Sequence, residues 1–371
     1  MSIQIIVSVV IPTVNRPHTL YATLKTVLEQ SISTNYEVVV SDNGDIVFGD
    51  IEKLVNSFSD SRLRYVKTPV HYSMCDSWEF ALSHARGEII CFIGDDDGLM
   101  PYAVETLIDI DNKLAPDIFF WNEECYAWPG VFESSGVVSG RRKCTPDKLY
   151  DAKSALKKMV VWGGAGLSNI PMIYHSAVKK SLINRVIGRN GRYFLSRQPD
   201  TFSGISSVLE GGTCIKIGKA LSVNGWSPAS NSGSMRIVYD SAQNQAYVRE
   251  YGEWKTHWKL VDHSKLKFFN ITTESILMAL EAYRDKGEFD YNFNAMWAIF
   301  IRLSKYKHYF WFIHNWNNLT PNQNASKIIF HYYLVINIGK SLLDYFKKML
   351  KINYNFVEAE NIYEYVSQYR K

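Results

Sequence analysis

Apolar residues run almost unbroken from Ile5 to Ile11, and most are β-branched. A strand without polar alternation is one buried on both faces, as in a parallel sheet. The polar loop Pro12-Thr13-Val14-Asn15-Arg16 follows. Pro17 suits the first turn of a helix, and Leu20, Leu24, Val27 and Leu28 recur at helical spacing. The alternation continues with a strand at Glu37–Ser41 ending in Asp42-Asn43-Gly44-Asp45, a helix from about Asp50 to Phe58, and a short strand at Leu63–Val66. Trp78, Ala81, Leu82 and Ala85 mark one face of a helix that Gly87 stops. The strand Glu88–Ile93 then runs directly into Gly94-Asp95-Asp96-Asp97-Gly98. Pro101 opens a further helix, with Val104, Leu107 and Ile108 expected inward.

This order predicts an α/β fold with a mainly parallel sheet and right-handed crossovers. Polar clusters end the first, second and fourth strands, and that edge is where open α/β sheets bind ligands. From Asp117 to Ser234 the chain is mixed, with strand-like runs at Asp117–Trp121, Met172–His175 and Thr213–Ile217. From about Arg236 glycine nearly disappears and long aromatic helical patterns take over. The expected division is an α/β domain at 1–235 and a helical C-terminal region at 236–371.

The 371 residues suffice for a sizeable core, and 46% apolar with 21% charged residues excludes a disordered tail or a coiled coil. A net charge of +4 gives no reason to expect a nucleic-acid partner. The cysteines Cys75, Cys91, Cys125, Cys144 and Cys214 are odd in number and unpaired in spacing, which favours a reducing compartment over disulfides or zinc. The N-terminus lacks a basic segment before its apolar run, so no signal peptide is expected. No run reaches ~18 apolar residues, so no spanning helix is expected either.

Asp95, Asp96 and Asp97 repel one another and need a counter-charge. A hard cation such as Mg²⁺ or Mn²⁺ supplies one, and a solvated helix-capping turn is the alternative. The chain resembles family 2 glycosyltransferases of the GT-A fold, including bacterial members that build O-antigen and capsule. The stretches that carry the resemblance are Val7–Pro17, Glu37–Gly44 and Ala85–Pro101, with weaker likeness at Arg197–Asp200 and Ala220–Gly225. The resemblance implies that Pro12, Thr13, Asn15 and Arg16 form the loop around the nucleotide base. It implies that Asp42, with Asn43 beside it, is the carboxylate that hydrogen-bonds the base, usually uracil. Asp96 falls on the metal ligand for Mn²⁺ or Mg²⁺, Asp95 on the residue between, and Asp97 on a supporting or acceptor-side carboxylate. Gly94 stands where many members have the first Asp of their DxD motif. Other departures are His71-Tyr72-Ser73 for Asn-x-Gly, Trp78 for a basic residue, and no Ser-Thr-Asp after the second strand.

The implied activity is an inverting, metal-dependent transfer from a nucleotide-sugar, UDP-linked in most relatives, to a glycan or lipid-linked oligosaccharide acceptor. A divalent ion neutralises the leaving diphosphate, and a carboxylate takes the acceptor's proton. Asp200, in Gln198-Pro199-Asp200-Thr201-Phe202, is the expected base, with helix capping as its other reading. Two rival functions stand beside this one. A sugar nucleotidyltransferase would need a Gly-rich N-terminal loop, which residues 12–16 lack. A non-catalytic glycan-binding or assembly subunit is suggested by Gly94 and opposed by the three remaining aspartates.

Gly163-Gly164-Ala165-Gly166 lacks the spacing of a phosphate loop and is assigned to an acceptor-side wall. Gly212–Lys219 fails as a P-loop, and the histidines show no metal spacing. Ser227, Ser230 and Ser232–Ser234 read either as a loop closing over the diphosphate or as a linker, with the linker favoured. Arg302, Lys305, Lys307, Lys327, Lys340, Lys347, Lys348 and Lys351 face one acid, Asp344, a balance of +7. Leu334, Ile338, Leu342, Phe346 and Met349 form an expected apolar stripe. Such a segment suits an anionic bilayer, and a helix packed on the protein is the alternative. The expected location is the cytoplasm, peripheral on the cytoplasmic face of the inner membrane.

Overall fold

A computed structural model describes residues 4–44, 50–131, 136–137, 144–230, 267–287, 289–303, 306, 308–319, 325–349 and 359–370. Asp45, Ser232–Ser234, Lys305, Lys307 and Lys351 lie outside the described residues, as do the side chains of Lys347, Lys348, Phe346 and Met349. Two compact units divide the chain. The first comprises 1–150, 171–254 and 354–371, and the second 151–170 and 255–353.

The first unit opens with β1 (Val7–Thr13), α1 (Pro17–Leu28), β2 (Tyr36–Asp42), α2 (Asp50–Ser57), β3 (Leu63–Lys67), α3 (Met74–Ser83) and β4 (Ile89–Phe92). Then come β5 (Gly98–Leu99), α4 (Ala103–Leu114), β6 (Ile118–Phe120), β7 (Glu124–Ala127), β8 (Gly136–Val137) and β9 (Lys148–Leu149). After α5 (Ala152–Val161), which belongs to the second unit, follow β10 (Ser176–Lys179), α6 (Lys180–Asn190), α7 (Pro199–Glu210), β11 (Cys214–Lys216) and β12 (Ser222–Trp226).

The large sheet has the order β3-β2-β1-β4-β10-β6-β11-β9. Strands β1 to β4 are mutually parallel, as the helical crossovers require, and β10 runs antiparallel between β4 and β6. This is the mainly parallel, helix-flanked sheet expected of a GT-A domain. Every residue of β2 is buried, which explains its lack of alternation. A smaller sheet, β5-β12-β7-β8, lies beside the acidic loop, which leads directly into β5.

Three expectations are corrected, at Met172–His175, at Ile108 and in the C-terminal stripe. The expected strand Met172–His175 is displaced, and regular pairing begins at Ser176. Ile108 is only partly buried, because the buried face of α4 is Ala103, Val104, Leu107 and Ile110. Gly163, Gly164 and Gly166, expected on an acceptor-side wall, belong to the second unit. They turn the chain within the second unit, where a Cβ on Gly163 would lie 2.2 Å from the Met296 amide. The expected C-terminal stripe is split, since Leu334 is buried while Ile338 and Leu342 are exposed.

The second unit is helical, with α8 (Lys267–Ala282), α9 (Phe293–Leu303), α10 (Tyr309–His314), α11 (Trp316–Leu319) and α12 (Lys327–Met349). Helix α9 is rich in buried apolar residues, including Trp297 and Met296. Among the described residues no helix is long and apolar enough to cross a membrane. The last helix, α13 (Ile362–Ser367), returns to the first unit. Ile362, Tyr365 and Val366 are fully buried there. Their contacts reach Gly98, and the Tyr365 and Tyr369 hydroxyls donate to the buried Glu124 on β7.

The edge opposite the acidic loop is held by Glu37. Its carboxylate accepts from the Ser8 hydroxyl at 2.7 Å, the Arg86 amide at 2.6 Å and the Arg64 guanidinium at 2.8 Å. Removing one partner of a buried ion pair costs about 3 kcal/mol or more. Glu37→Ala is therefore expected to lower the urea midpoint by that equivalent. An unchanged midpoint would show that β1 and β2 do not depend on this carboxylate.

Candidate active site

The C-terminal ends of β1, β2 and β4 lie side by side, because Thr13 pairs with Asp42 across the sheet and β4 continues into Asp95. After β1 the chain turns at Asn15, whose φ of 53° is left-handed, and Arg16 becomes the N-cap of α1. That turn brings Thr13 and Arg16 onto the acidic loop. The Thr13 hydroxyl donates to Asp95 Oδ2 at 2.5 Å. Arg16 Nη2 lies 2.7 Å from Asp95 Oδ1, and its Nη1 lies 3.9 Å from Asp96 Oδ1.

The three carboxylates have different surroundings. Asp97 is fully buried and turned inward. Its Oδ2 accepts from the Gly94 amide at 2.5 Å and the Tyr174 hydroxyl at 2.6 Å, and its Oδ1 accepts from the Gly225 amide at 2.7 Å. His175 Nε2 lies 3.3 Å from Asp97 Oδ2. Burial alone would raise the Asp97 pKa, but His175 and these donors hold it below the ordinary carboxylate value. Burial alone would lower that of His175, and Asp97 raises it instead. His175 and Asp97 thus each favour the charged form of the other.

Asp96 has fewer partners. The Ser227 amide donates to its Oδ2 at 3.1 Å, and no described residue hydrogen-bonds its Oδ1. Burial pushes its pKa up to about 7, against the opposing pull of Arg16. Burial likewise raises that of Asp95, with Arg16 and Thr13 opposing. Gly225 is required at its position, because a Cβ there would meet the Asp96 carbonyl at 1.7 Å. That same carbonyl accepts from the Trp128 indole at 2.8 Å.

At the end of β2, Asp42 Oδ2 accepts from the Tyr65 hydroxyl at 2.9 Å and Lys67 Nζ at 3.0 Å. Its Oδ1 accepts from the Gly44 amide at 2.8 Å. Asn43 bridges to the Tyr72 backbone in both directions, at 2.8 and 2.9 Å. Pro12 precedes Thr13 on the same strand, opposite Ser41. Asp200 sits in the first turn of α7, in the same unit as the acidic loop. Its Oδ1 accepts from the Thr201 amide at 2.8 Å, and burial raises its pKa.

Among the described residues no group of three or more His, Cys, Asp or Glu forms a complete metal cage. The donor set still fits a hard cation of the Mg²⁺ or Mn²⁺ type. Asp95 Oδ1 and Asp96 Oδ1 lack hydrogen bonds, and such ions commonly take one or two carboxylates and complete their shell from substrate phosphates and water. Sequence reasoning missed Tyr174, His175, Gly225 and Ser227 as direct partners of the acidic loop. The only signal was Ala220–Gly225, one of the weaker resemblance segments. Ser227 is no linker residue, since its amide donates to Asp96.

Residues 8–123 match the family described as Glycosyl transferase family 2. WfgD of Escherichia coli, named as a UDP-Glc:alpha-D-GlcNAc-diphosphoundecaprenol beta-1,3-glucosyltransferase, is 32% identical over 119 residues, covering 32% of this chain and 46% of that protein. WfaP of Escherichia coli carries the same activity name and is 26% identical over 176 residues, covering 46% of this chain and 65% of that protein. Among solved structures, residues 1–349 of S. aureus TarS in complex with UDP-GlcNAc align with a TM-score of 0.45 and 14% identity, over 76% of this chain and 74% of that one. The chain spans less than half the length of the first curated relatives it matches. Residues 8–123 are thus similar to glycosyl transferase family 2 domains, among them those of bacterial polysaccharide enzymes.

The unequal surroundings of Asp96 and Asp97 make a direct test. Asp97→Asn removes the carboxylate that the Gly94 and Gly225 amides, the Tyr174 hydroxyl and His175 all face, and is expected to cost about 3 kcal/mol in urea unfolding at neutral pH. Asp96→Asn removes a buried charge with one hydrogen bond and is expected to leave stability equal or higher. Equal losses in the two variants would contradict the division of roles.

Proposed function

We propose that this protein is an inverting glycosyltransferase. It moves a sugar from a UDP-linked donor to a glycan or lipid-linked oligosaccharide acceptor in bacterial surface polysaccharide synthesis. The observation that carries this reading is the meeting of Thr13, Arg16, Asp95 and Asp96 at the sheet edge of a domain similar to those of family 2. The names of WfgD and WfaP support the UDP-linked donor and the lipid-linked acceptor.

In this reading residues 1–235 carry donor binding and catalysis. Pro12, Thr13 and Asn15 line the base side of the donor, with Arg16 next to them at the acidic loop, and Asp42, with Asn43, receives the base. Lys67 and Tyr65 fix the Asp42 carboxylate in one orientation. Asp96, flanked by Asp95, holds Mn²⁺ or Mg²⁺. The ion supplies charge neutralisation for the departing diphosphate. Asp200 accepts the proton of the acceptor hydroxyl as that oxygen attacks the anomeric carbon. Burial suits it to the task by raising its proton affinity. Asp97 holds the loop rather than the substrate, since its oxygens already have internal partners.

The helical region, 236–371, provides contact with an anionic membrane at the cytoplasmic face of the inner membrane. Ile328, Tyr332 and Val335 are 83%, 63% and 66% exposed along one side of α12, in a stretch of sequence rich in cations. Apolar insertion and about 1 kcal/mol per engaged cation would add together.

Two measurements test these assignments. A panel of nucleotide sugars with and without Mn²⁺ is expected to show metal-dependent donor hydrolysis or transfer. In that assay Asp200→Asn is expected to bind donor normally and turn over roughly 10²–10⁴-fold more slowly. Collapse of donor binding, or wild-type turnover, would make Asp200 structural. In co-sedimentation with anionic vesicles, replacing Lys347, Lys348 and Lys351 by Gln is expected to weaken binding without changing donor hydrolysis. Intact protein that stays in the supernatant at low salt would remove the membrane role.

A further inference from the structure

We propose that Arg16 is a built-in counter-cation that couples divalent-ion binding to donor binding. It neutralises Asp95 and Asp96 in the free protein and turns to the diphosphate when the ion and donor arrive together. This inference rests on the donor and metal reading above.

Among the described residues, Arg16 is the only cationic side chain within 4.0 Å of Asp95 or Asp96. It contacts the same atoms that an incoming ion would take. Asp95 Oδ2 is occupied by Thr13 and Asp96 Oδ2 by the Ser227 amide, which leaves the two Oδ1 atoms. Arg16 Nη2 lies 2.7 Å from one and Nη1 lies 3.9 Å from the other. A divalent ion and the guanidinium therefore compete for one pair of oxygens.

The grip of Arg16 on this pair is incomplete. Nη1 is buried and has no hydrogen-bond partner. A guanidinium presents donors in a fixed fork suited to carboxylate or phosphate oxygens. The side chain as a whole is 24% exposed, so it is not sealed into the core. It rises from the N-cap of α1, where no side chain caps the first amides, and a helix N-terminus favours an anion.

Charge balance sets the direction of the coupling. Two carboxylates with one guanidinium leave the pair short of one positive charge. A divalent ion added alone over-fills that deficit and repels Arg16 at close range in a poorly screened site. A diphosphate added with the ion restores the balance and offers oxygens to Nη1. The ion is thus expected to bind weakly to the free protein and more tightly with nucleotide. By linkage, the nucleotide gains as much from the ion.

The test is Mn²⁺ binding, followed by electron paramagnetic resonance of the free ion, to the full chain. Wild type, Arg16→Gln and Arg16→Lys are compared without nucleotide, with UDP and with GDP. In wild type a nucleoside diphosphate is expected to tighten Mn²⁺ binding by about tenfold or more. Arg16→Gln is expected to bind Mn²⁺ alone about tenfold more tightly than wild type and to gain less from the nucleotide. Arg16→Lys, which keeps the charge, should retain the wild-type order. Arg16→Gln that binds Mn²⁺ alone no more tightly than wild type overturns the proposal. If that variant does not fold, wild-type Mn²⁺ affinity that ignores both nucleotides overturns it equally. Absence of Mn²⁺ binding in every protein and mixture overturns the metal reading itself, and the coupling with it.

Discussion

The burial of three successive carboxylates in one loop is the constraint around which this domain is arranged. Asp95, Asp96 and Asp97 are each at most 3% exposed, so water cannot supply their counter-charge. The protein assigns each a different source. Asp95 is served from the N-terminal side by Thr13 and Arg16. Asp97 is served from the opposite side by Tyr174, His175 and the amide of Gly225. Asp96, between them, receives one backbone amide and the distant edge of Arg16. Burial raises the pKa of Asp96 to about 7 and raises that of Asp95 as well, in spite of Thr13 and Arg16.

This division makes the loop a joint between distant parts of the chain. Strand β12 must approach closely enough for the Gly225 and Ser227 amides to reach Asp97 and Asp96, which is why residue 225 has no side chain. Strand β7 pairs with β12 from the other side and carries Glu124, to which Tyr365 and Tyr369 donate. Ile362 and Val366 of the same C-terminal segment lie against Gly98, just past the acidic loop. The loop geometry is therefore set by contacts that close late in the sequence. A break in any of them acts on the carboxylates through packing.

The sequence made the first four strands and the acidic edge legible because each is a contiguous pattern. Buried parallel strands lack alternation, and a polar cluster directly after one marks the ligand edge. The partners of the acidic loop are contributed across the fold and leave no local period. Tyr174 and His175 illustrate the difficulty. Within Met172–His175 the apolar residues look like a strand, yet His175 adopts a left-handed φ of 57° and both side chains turn to Asp97. Regular pairing is delayed to Ser176 for that reason. Helix α12 shows the same limit. Its period is plain in the sequence, but the buried side is chosen by the neighbouring helices, so Leu334 is inward and Val335 outward.

The site also differs from a satisfied polar core in a physically specific way. A network built for stability closes every hydrogen bond, because a half-satisfied buried group is worse than an apolar one. Around Asp97 the network is closed on both oxygens. Asp95 Oδ1 and Arg16 Nη1 are buried without hydrogen bonds, and so are His175 Nε2 beside Asp97 and the Ser227 hydroxyl oxygen. The satisfied oxygens of Asp97 supply rigidity, and the unmet atoms carry a desolvation cost. A cation beside Asp95 Oδ1 and an anionic group beside Arg16 Nη1 would each relieve part of it. Asp96 can remain under-coordinated only because Asp97, one residue on, anchors the backbone that presents it.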